Sequence, residues 1–272
     1  MITAQNISFR VGQKTILHKL SFALRPGTLS VVLGQNGAGK STLLKILSGE
    51  QKPSEGLVLL GQDDLHKVST AALAHRRAVL SQQYPTALPF AAEEIVMMGR
   101  YPHFNNKPAA IDHTIVHECL DEMQVGAFAR RSYQTLSGGE QQRVQMARVL
   151  AQLRDKGVQE SKLLLLDEPT ASMDCLHQQL CLRKAKELAG SGYCVLVILH
   201  DLNLAAQFAD FILLMKHGKI IATGTPREVL RPGPIAEAYD MEVNVLDYDE
   251  YDFPILVPAA HISKPVLIRS IK

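Results

Sequence analysis

A glycine-rich stretch from Gly34 to Ser41 has the residue types and spacing of a phosphate-binding loop. It follows the apolar run from Thr28 to Leu33 and fits the pattern GxxxxGK[ST]. Glycines let successive backbone N–H groups turn toward phosphate oxygens, and the helix predicted from Thr42 to Ser48 would add its positive end. We expect Lys40 to contact the β and γ phosphates of a nucleotide and Ser41 to bind Mg²⁺.

Two adjacent carboxylates, Asp167 and Glu168, follow four consecutive leucines and precede Pro169, which prevents a strand from continuing. In an open parallel sheet, ligands bind beyond the carboxyl ends of the strands, so both acids would emerge near Gly34. Asp167 would then hold the water shell of the metal, and Glu168 would take the proton of an attacking water. Taken alone, the pattern is equally typical of a strand that leads into a capped helix.

A second helix start lies at Ser137, where Glu140 stands three residues later in the pattern of a capping box. Gly138 and Gly139 weaken a helix but leave bare N–H groups open to an approaching anion. The chain thus carries two helix ends suited to phosphate. If both serve one nucleotide, they must approach it from opposite sides, and a two-fold dimer is the simplest geometry that allows this.

The elements that must position these residues alternate along the chain. Short apolar runs rich in β-branched or leucine residues alternate with stretches of helical period, which predicts an α/β fold with a mostly parallel sheet covered by helices. His200 follows one such run, Cys194 to Leu199, and so belongs at the same carboxyl edge as Asp167 and Glu168. The segment from about residue 85 to 159 is largely helical in pattern, and we interpret it as a helical insertion.

Composition narrows the possible partners and compartments. The 272 residues carry 29 basic and 27 acidic side chains, a net charge of +2, which gives no electrostatic case for binding nucleic acid. The longest apolar runs are far below the roughly 20 residues needed to span a bilayer, and no secretory signal is visible. We therefore expect a cytosolic chain whose 4 cysteines stay reduced.

Together these motifs resemble the ATP-binding subunits of ABC transporters over about residues 1 to 240. The resemblance implies an α/β fold with a P-loop NTPase (RecA-like) core, a mostly parallel sheet, a small antiparallel β region and a helical subdomain. It also implies a core at about 1–84 and 160–240, a helical subdomain at about 85–159, and a C-terminal extension at 241–272. It further implies Mg²⁺ with ATP, and a head-to-tail homodimer in which Ser137 and Gly139 of one copy face the γ-phosphate held by Lys40 of the other.

The same resemblance assigns roles to particular residues. It implies three catalytic residues: Glu168, His200 as a switch histidine, and Gln82 as the Q-loop glutamine. It also implies that the metal is held by Ser41, Gln82 and Asp167. The nucleotide-binding set comprises the Walker A loop, the signature motif and the D-loop: Gly34, Gln35, Asn36, Gly37, Ala38, Gly39, Lys40, Ser41, Thr42, Ser137, Gly138, Gly139 and Asp174. One departure is Val11, near the position where the family usually places an aromatic ring on adenine.

Within the family, the resemblance is closest to the haemin importer ATPases of the haem, iron-siderophore and cobalamin importers. Residues 75–82, 98–103, 174–178 and 199–206 carry it. It implies two permease subunits in the membrane, an indirect partner in a substrate-binding protein, and a place at the cytoplasmic face of the bacterial inner membrane. An iron-siderophore or cobalamin importer and a soluble ABC factor stay as alternatives. A P-loop GTPase is disfavoured, because Asn106-Lys107-Pro108-Ala109 lacks the final Asp of Asn-Lys-x-Asp.

Three smaller features complete the predictions. His113 and His117 have the i, i+4 spacing that places two imidazoles on one helix face, but no third ligand pattern accompanies them, so we expect a solvated face. Met97 and Met98 are suited either to core packing or to contact with a membrane partner. The acidic patch from Asp247 to Asp252 is expected to be solvated surface.

Overall fold

The computed structural model describes residues 1–81, 89–155 and 162–259. Its strands are β1 (Ile2–Val11), β2 (Lys14–Leu24), β3 (Leu29–Leu33), β4 (Glu55–Leu60), β5 (Asp63–Asp64), β6 (Arg77–Leu80), β7 (Leu163–Asp167), β8 (Cys194–Ile198), β9 (Phe211–Lys216), β10 (Lys219–Gly224), β11 (Val243–Leu246) and β12 (Ile255–Pro258). Its α-helices are α1 (Lys40–Leu47), α2 (Thr70–Arg76), α3 (Ala92–Met98), α4 (Ala110–Glu122), α5 (Gly138–Leu153), α6 (Cys175–Gly190), α7 (Leu202–Phe208), α8 (Pro226–Val229) and α9 (Pro232–Tyr239).

A six-stranded sheet in the order β10-β9-β3-β8-β7-β6 forms the centre of the molecule. The pairs from β9 through β6 are parallel, and only β10 pairs antiparallel with its neighbour. β3, β7 and β8 are buried along their whole length, which explains why their sequences are continuous apolar runs and show no alternation. The predicted α/β fold with a mostly parallel sheet is confirmed.

A separate four-stranded sheet in the order β2-β1-β4-β5 is antiparallel throughout. Its inner face shares a cluster of buried side chains with α1 and one face of the central sheet, including Ile7, Leu17 and Leu43. This packing fixes the phosphate loop at the junction of the two sheets, since the loop connects β3 to α1.

Helices α3, α4 and α5 pack on one another along the other face of the central sheet. A single buried cluster runs from Leu164 and Leu166 of β7 through Val144 and Leu150 of α5 to Val116 of α4. The amino end of α5 is thereby held near the carboxyl end of β7.

The part after residue 240 contains a two-stranded antiparallel hairpin, β11 with β12. Asn203 of α7 anchors it, because its side-chain amide donates to Leu256 O at 3.1 Å and its oxygen accepts from Leu256 N–H at 2.8 Å. Residues 247–252 are exposed, as predicted. Among the helices of the described segments, none combines the length and apolar character required to cross a bilayer.

Candidate functional site

The phosphate loop joins the buried end of β3 to the first residue of α1, Lys40. Gly34 adopts a φ of +150°, and a Cβ there would meet Met215 O at 2.3 Å. Gly39 caps α1 with a φ of +98° and offers no side chain to the helix N–H groups. The first N–H groups of α1 therefore lack a side-chain cap, which suits them to an anion.

Lys40 lies beneath this loop and is almost fully buried. Its Nζ donates to Gly34 O at 2.7 Å and to Gln35 O at 3.1 Å. Burial lowers the pKa of Lys40, while the carboxylates of Glu168 and Asp167 act in the opposite direction. The ammonium thus stands between the loop carbonyls and two acids, where a phosphate could compete for it.

Asp167 ends β7 directly beside the loop, and its residue is only 7% exposed. Burial raises the pKa of Asp167, a hydrogen bond from Ser41 lowers it, and the neighbouring Glu168 raises it further. One carboxylate oxygen, Oδ1, is buried with no hydrogen-bond partner in the described chain. A buried, unpartnered carboxylate oxygen next to a serine hydroxyl fits the all-oxygen donor set that Mg²⁺ prefers.

Glu168 takes a left-handed backbone conformation, with a φ of +51°. Its N–H donates to Ile198 O at 3.2 Å, and its carbonyl accepts from Gln142 Nε2 at 2.8 Å. The Glu168 carboxylate, at this turn after β7, is hydrogen-bonded to His200 Nε2. The predicted pairing of these two side chains is therefore present in the described structure.

A cavity of about 560 Å³ brings the first group of predicted residues together. Its walls combine the phosphate loop with the two catalytic candidates, and its lining residues are Lys14, Ile16, Asn36, Gly37, Gly39, Lys40, Ser41, Thr42, Glu168 and His200. Of the other loop residues, Ala38 is buried and Gly34 and Gln35 contact α9, as described below.

The amino end of α5 is held by the predicted capping box. Ser137 N–H donates to Glu140 Oε2 at 2.7 Å, and Ser137 Oγ accepts from Glu140 N–H at 3.4 Å. These bonds lower the pKa of Glu140. A Cβ on Gly139 would meet Ser172 O at 2.9 Å, so the second glycine allows the loop after β7 to pass close to α5.

A second cavity, of about 500 Å³, holds the signature residues. It is lined by Ser137, Gly138, Gly139, Glu140, Arg143, Ser172, Met173, Asp174 and His177. Asp174 caps α6, since its Oδ1 accepts from His177 N–H at 2.9 Å, and the same oxygen lies 2.8 Å from His177 Nδ1. The two cavities share no lining residue, so Ser137 and Lys40 face different cavities of the chain.

The family profile described as ABC transporter matches residues 17–171. The chain belongs to the ABC transporter ATP-binding family. This ABC protein is 46% identical over 257 residues to the hemin import ATP-binding protein HmuV of Pseudomonas aeruginosa, covering 94% of this chain and 99% of that one. It is 45% identical over 259 residues to the protein of the same name from Deinococcus radiodurans, covering 95% and 97%.

Solved structures agree with the family assignment. A metal-chelate type ABC transporter in an inward-facing conformation superposes with a TM-score of 0.79 at 28% identity, covering 96% of this chain and 97% of that chain. A dimeric ATP-binding cassette, MJ0796, in a post-hydrolysis state with ADP and phosphate superposes with a TM-score of 0.73 at 25% identity, covering 83% and 98%. The predicted P-loop fold and the ATPase class of this ABC protein are confirmed.

Two residues that sequence reasoning missed contact the site of the ABC ATPase. Gln142 joins α5 to the end of β7, because its Nε2 donates to Glu168 O and its Oε1 accepts from Ser172 N–H at 3.2 Å. Tyr239, at the end of α9, accepts a hydrogen bond from Gly34 N–H at 2.9 Å through its hydroxyl, and burial raises its pKa to about 12. Gln142 adjoins the signature motif and could have been suspected, whereas no local pattern marks Tyr239.

Gln82, the predicted Q-loop glutamine, lies outside the described residues, because the structure does not describe positions 82–88. The other residues singled out by the sequence are described. Val11 is 61% exposed, His113 and His117 are exposed as predicted, and Met97 and Met98 are half-buried against the main core.

Proposed function

We propose that this ABC ATPase energises the import of haemin through a separate membrane permease. The observation that carries the proposal is near full-length similarity, at 40–46% identity, to proteins named as hemin import ATP-binding proteins. The superposable metal-chelate type transporter supports an importer of a chelated metal. The chain would then sit at the cytoplasmic face of the inner membrane with two permease subunits, and a binding protein would deliver the substrate.

The separate cavities support a head-to-tail homodimer as the working unit. Ser137, Gly139 and Asp174 of one copy would close over the nucleotide held by Lys40 and the phosphate loop of the other. An isologous two-fold interface forms two such composite sites at once. The dimeric cassette MJ0796 provides a precedent for a paired arrangement of this fold.

The charged side chains around the phosphate loop have the positions that ATP hydrolysis requires. Glu168 orients the attacking water and takes its proton, and His200 holds the Glu168 carboxylate in position. Lys40 and the open N–H groups of α1 stabilise the charge that develops on the γ-phosphate. Ser41 and Asp167 would hold Mg²⁺ with Gln82, and the ion would neutralise phosphate charge when bound.

We further propose the same division of the chain as the sequence predicted. Residues 1–240 would form the ATPase domain, with a core at about 1–84 and 160–240 and a helical subdomain at about 85–159. Residues 241–272 would be a C-terminal extension. The packing of α3, α4 and α5 on one another supports a distinct helical part.

Replacing the proposed base tests the ATPase mechanism. Glu168→Gln keeps the size of the side chain but cannot accept a proton, so turnover should fall by about 10²-fold or more while ATP still binds. The ATP-bound dimer should persist, which size-exclusion chromatography with ATP measures. Unchanged turnover would remove Glu168 from this role.

Purification of the chain with its membrane subunit tests whether haemin is the transported substrate. The chain should co-purify with a polytopic membrane subunit, and ATP hydrolysis by that complex should rise when a haem-loaded binding protein is added. Stimulation by a ferric siderophore or a cobalamin carrier alone would identify one of the alternative importers. Absence of any membrane subunit in the purified complex would favour the soluble ABC factor.

A further inference from the structure

Three side chains with metal-binding chemistry meet at a point remote from the nucleotide cavity. His75 lies in the last turn of α2, His103 ends the 3₁₀ turn Tyr101–His103, and Asp155 follows the end of α5. One potential ligand atom from each of the three lies within 4.8 Å of the other two. Residues from three separate segments therefore converge closely enough to share one ion.

The two imidazoles are oriented by their surroundings. Their ring centroids are 4.9 Å apart and their planes meet at 89°. His103 Nε2 lies 2.8 Å from Gln152 O. Because a carbonyl oxygen only accepts, Nε2 carries the hydrogen, and the neutral ring keeps a lone pair on Nδ1. A histidine that donates its other N–H to a backbone carbonyl is the usual outer arrangement around a metal ligand.

The backbone around this cluster is fixed from both sides. Gln152 of α5 donates through Nε2 to Ala74 O and to Arg77 O, each at 2.9 Å. These bonds tie the end of α5 to the end of α2, so His75 and His103 are presented by a cross-linked junction. Such support is what a first shell of ligands needs if it is to hold an ion in one geometry.

The charges near the cluster leave its carboxylate available. Asp155 forms no ion pair with any residue in the described ranges 1–81, 89–155 and 162–259. The nearby guanidinium of Arg100 is engaged elsewhere, since its Nε lies 3.0 Å from Asp112 Oδ1. The ammonium of Lys162 is also engaged, since its Nζ donates to Leu153 O at 2.6 Å.

We propose that His75, His103 and Asp155 bind one divalent transition-metal ion of the zinc class, with water completing the coordination. Two imidazole nitrogens and one carboxylate oxygen form a donor set that Zn²⁺ accepts readily and that Mg²⁺, which prefers oxygen, does not. The bound ion would link α2 to the turn after α3 and to the end of α5. It would therefore stabilise the junction between the central sheet and its helical layer.

Zinc titration of the full chain tests this site. The affinity tag is removed, metals are stripped, and isothermal titration calorimetry is run without Mg²⁺ or nucleotide. The test variant is His75→Ala with Asp155→Asn, since both side chains are exposed and their loss should leave the fold intact. The matched control is His113→Ala with His117→Ala, which removes an exposed histidine pair from α4.

The wild type and the control should each bind one more Zn²⁺ per chain than the test variant. At a Zn²⁺ concentration of about 100 times the dissociation constant, their melting temperature should rise by roughly 5 °C, with no such rise in the test variant. Substituting Co²⁺ should give visible absorption bands that the test variant lacks. Equal zinc stoichiometry and affinity in wild type and test variant would overturn the proposal, as would a wild type that binds no zinc.

Discussion

The hydroxyl of Tyr239 accepts a hydrogen bond from Gly34 N–H at 2.9 Å, across 205 positions of sequence. The adjacent Gln35 repeats the connection, because its Nε2 donates to Tyr239 O at 2.6 Å. Lys216 then pairs with Asp240 at 2.7 Å and holds the end of α9 in place. The phosphate loop is thus connected to α9 by two hydrogen bonds.

Tyr239→Phe should weaken ATP binding about threefold to tenfold, because Gly34 N–H loses its partner and the loop is less ordered before the nucleotide arrives. Fluorescent ATP titration measures the dissociation constant, and kcat at saturating ATP should change less. Tyr248→Phe, on the exposed β11–β12 connection, is the control. An effect no larger than that of the control would show that α9 does not position the loop.

Gly39→Ala should destabilise the fold by about 1–3 kcal/mol, since the residue has a positive φ and the new Cβ would lie 2.7 Å from Leu17 Cδ2. ATP binding should fall with it, because the loop must shift. Gly190→Ala, in α6 with nothing within 4 Å of the added Cβ, should be neutral or slightly stabilising. Urea denaturation of both variants gives the comparison, and equal stabilities would contradict the close contact at Gly39.

Mixing two inactive variants should restore activity if the site is composite. Lys40→Ala retains a working signature end, and Ser137→Leu retains a working phosphate loop. In an equal mixture about half the dimers pair one of each, and each mixed dimer has one of its two sites intact, so about a quarter of wild-type turnover should return. A mixture no more active than its components would exclude the shared site.

The ion pairs of Glu122 should make stability depend on pH. Burial would raise the pKa of Glu122, but Arg154 at 2.7 Å and Lys184 at 3.2 Å outweigh it and lower the pKa below its ordinary value of 4.5. A carboxyl whose pKa falls on folding adds stability above about pH 4.5, and that stability is lost as pH drops through the lowered value.

Glu122→Gln should therefore cost about 1 kcal/mol at pH 7, a difference that narrows as the pH falls below the ordinary carboxyl pKa. Urea midpoints measured across this range give the result. Glu118→Gln is the control, since Glu118 pairs with the same arginine but its side chain is 54% exposed. A Glu122→Gln deficit that does not shrink as the solution is acidified would contradict the assignment.

Sequence predicted most reliably what depends on neighbouring residues. The run Leu163 to Leu166 became β7, and the Ser137 capping box formed as expected, because burial and capping act within a few positions. The helix predicted to begin at Thr42 starts at Lys40, since Gly39 already turns the chain. Tyr239 could not be found in this way, because its bond to Gly34 is produced by tertiary packing alone.

The same limit applies beyond residue 240. Only a tail with an acidic surface was predicted, whereas the structure has the hairpin β11–β12 secured by Asn203. The residues that join the two strands contain no Asn-Gly or Asp-Gly turn, and the register depends on a side chain of α7.

Glu168 is fastened on three sides: its N–H to β8, its carbonyl to Gln142 of α5, and its carboxylate to His200. A tilt of α5 would therefore move the peptide unit of Glu168, through the hydrogen bond from Gln142 to its carbonyl. Movement imposed on that helix would in this way reach the proposed base without any contact with the nucleotide.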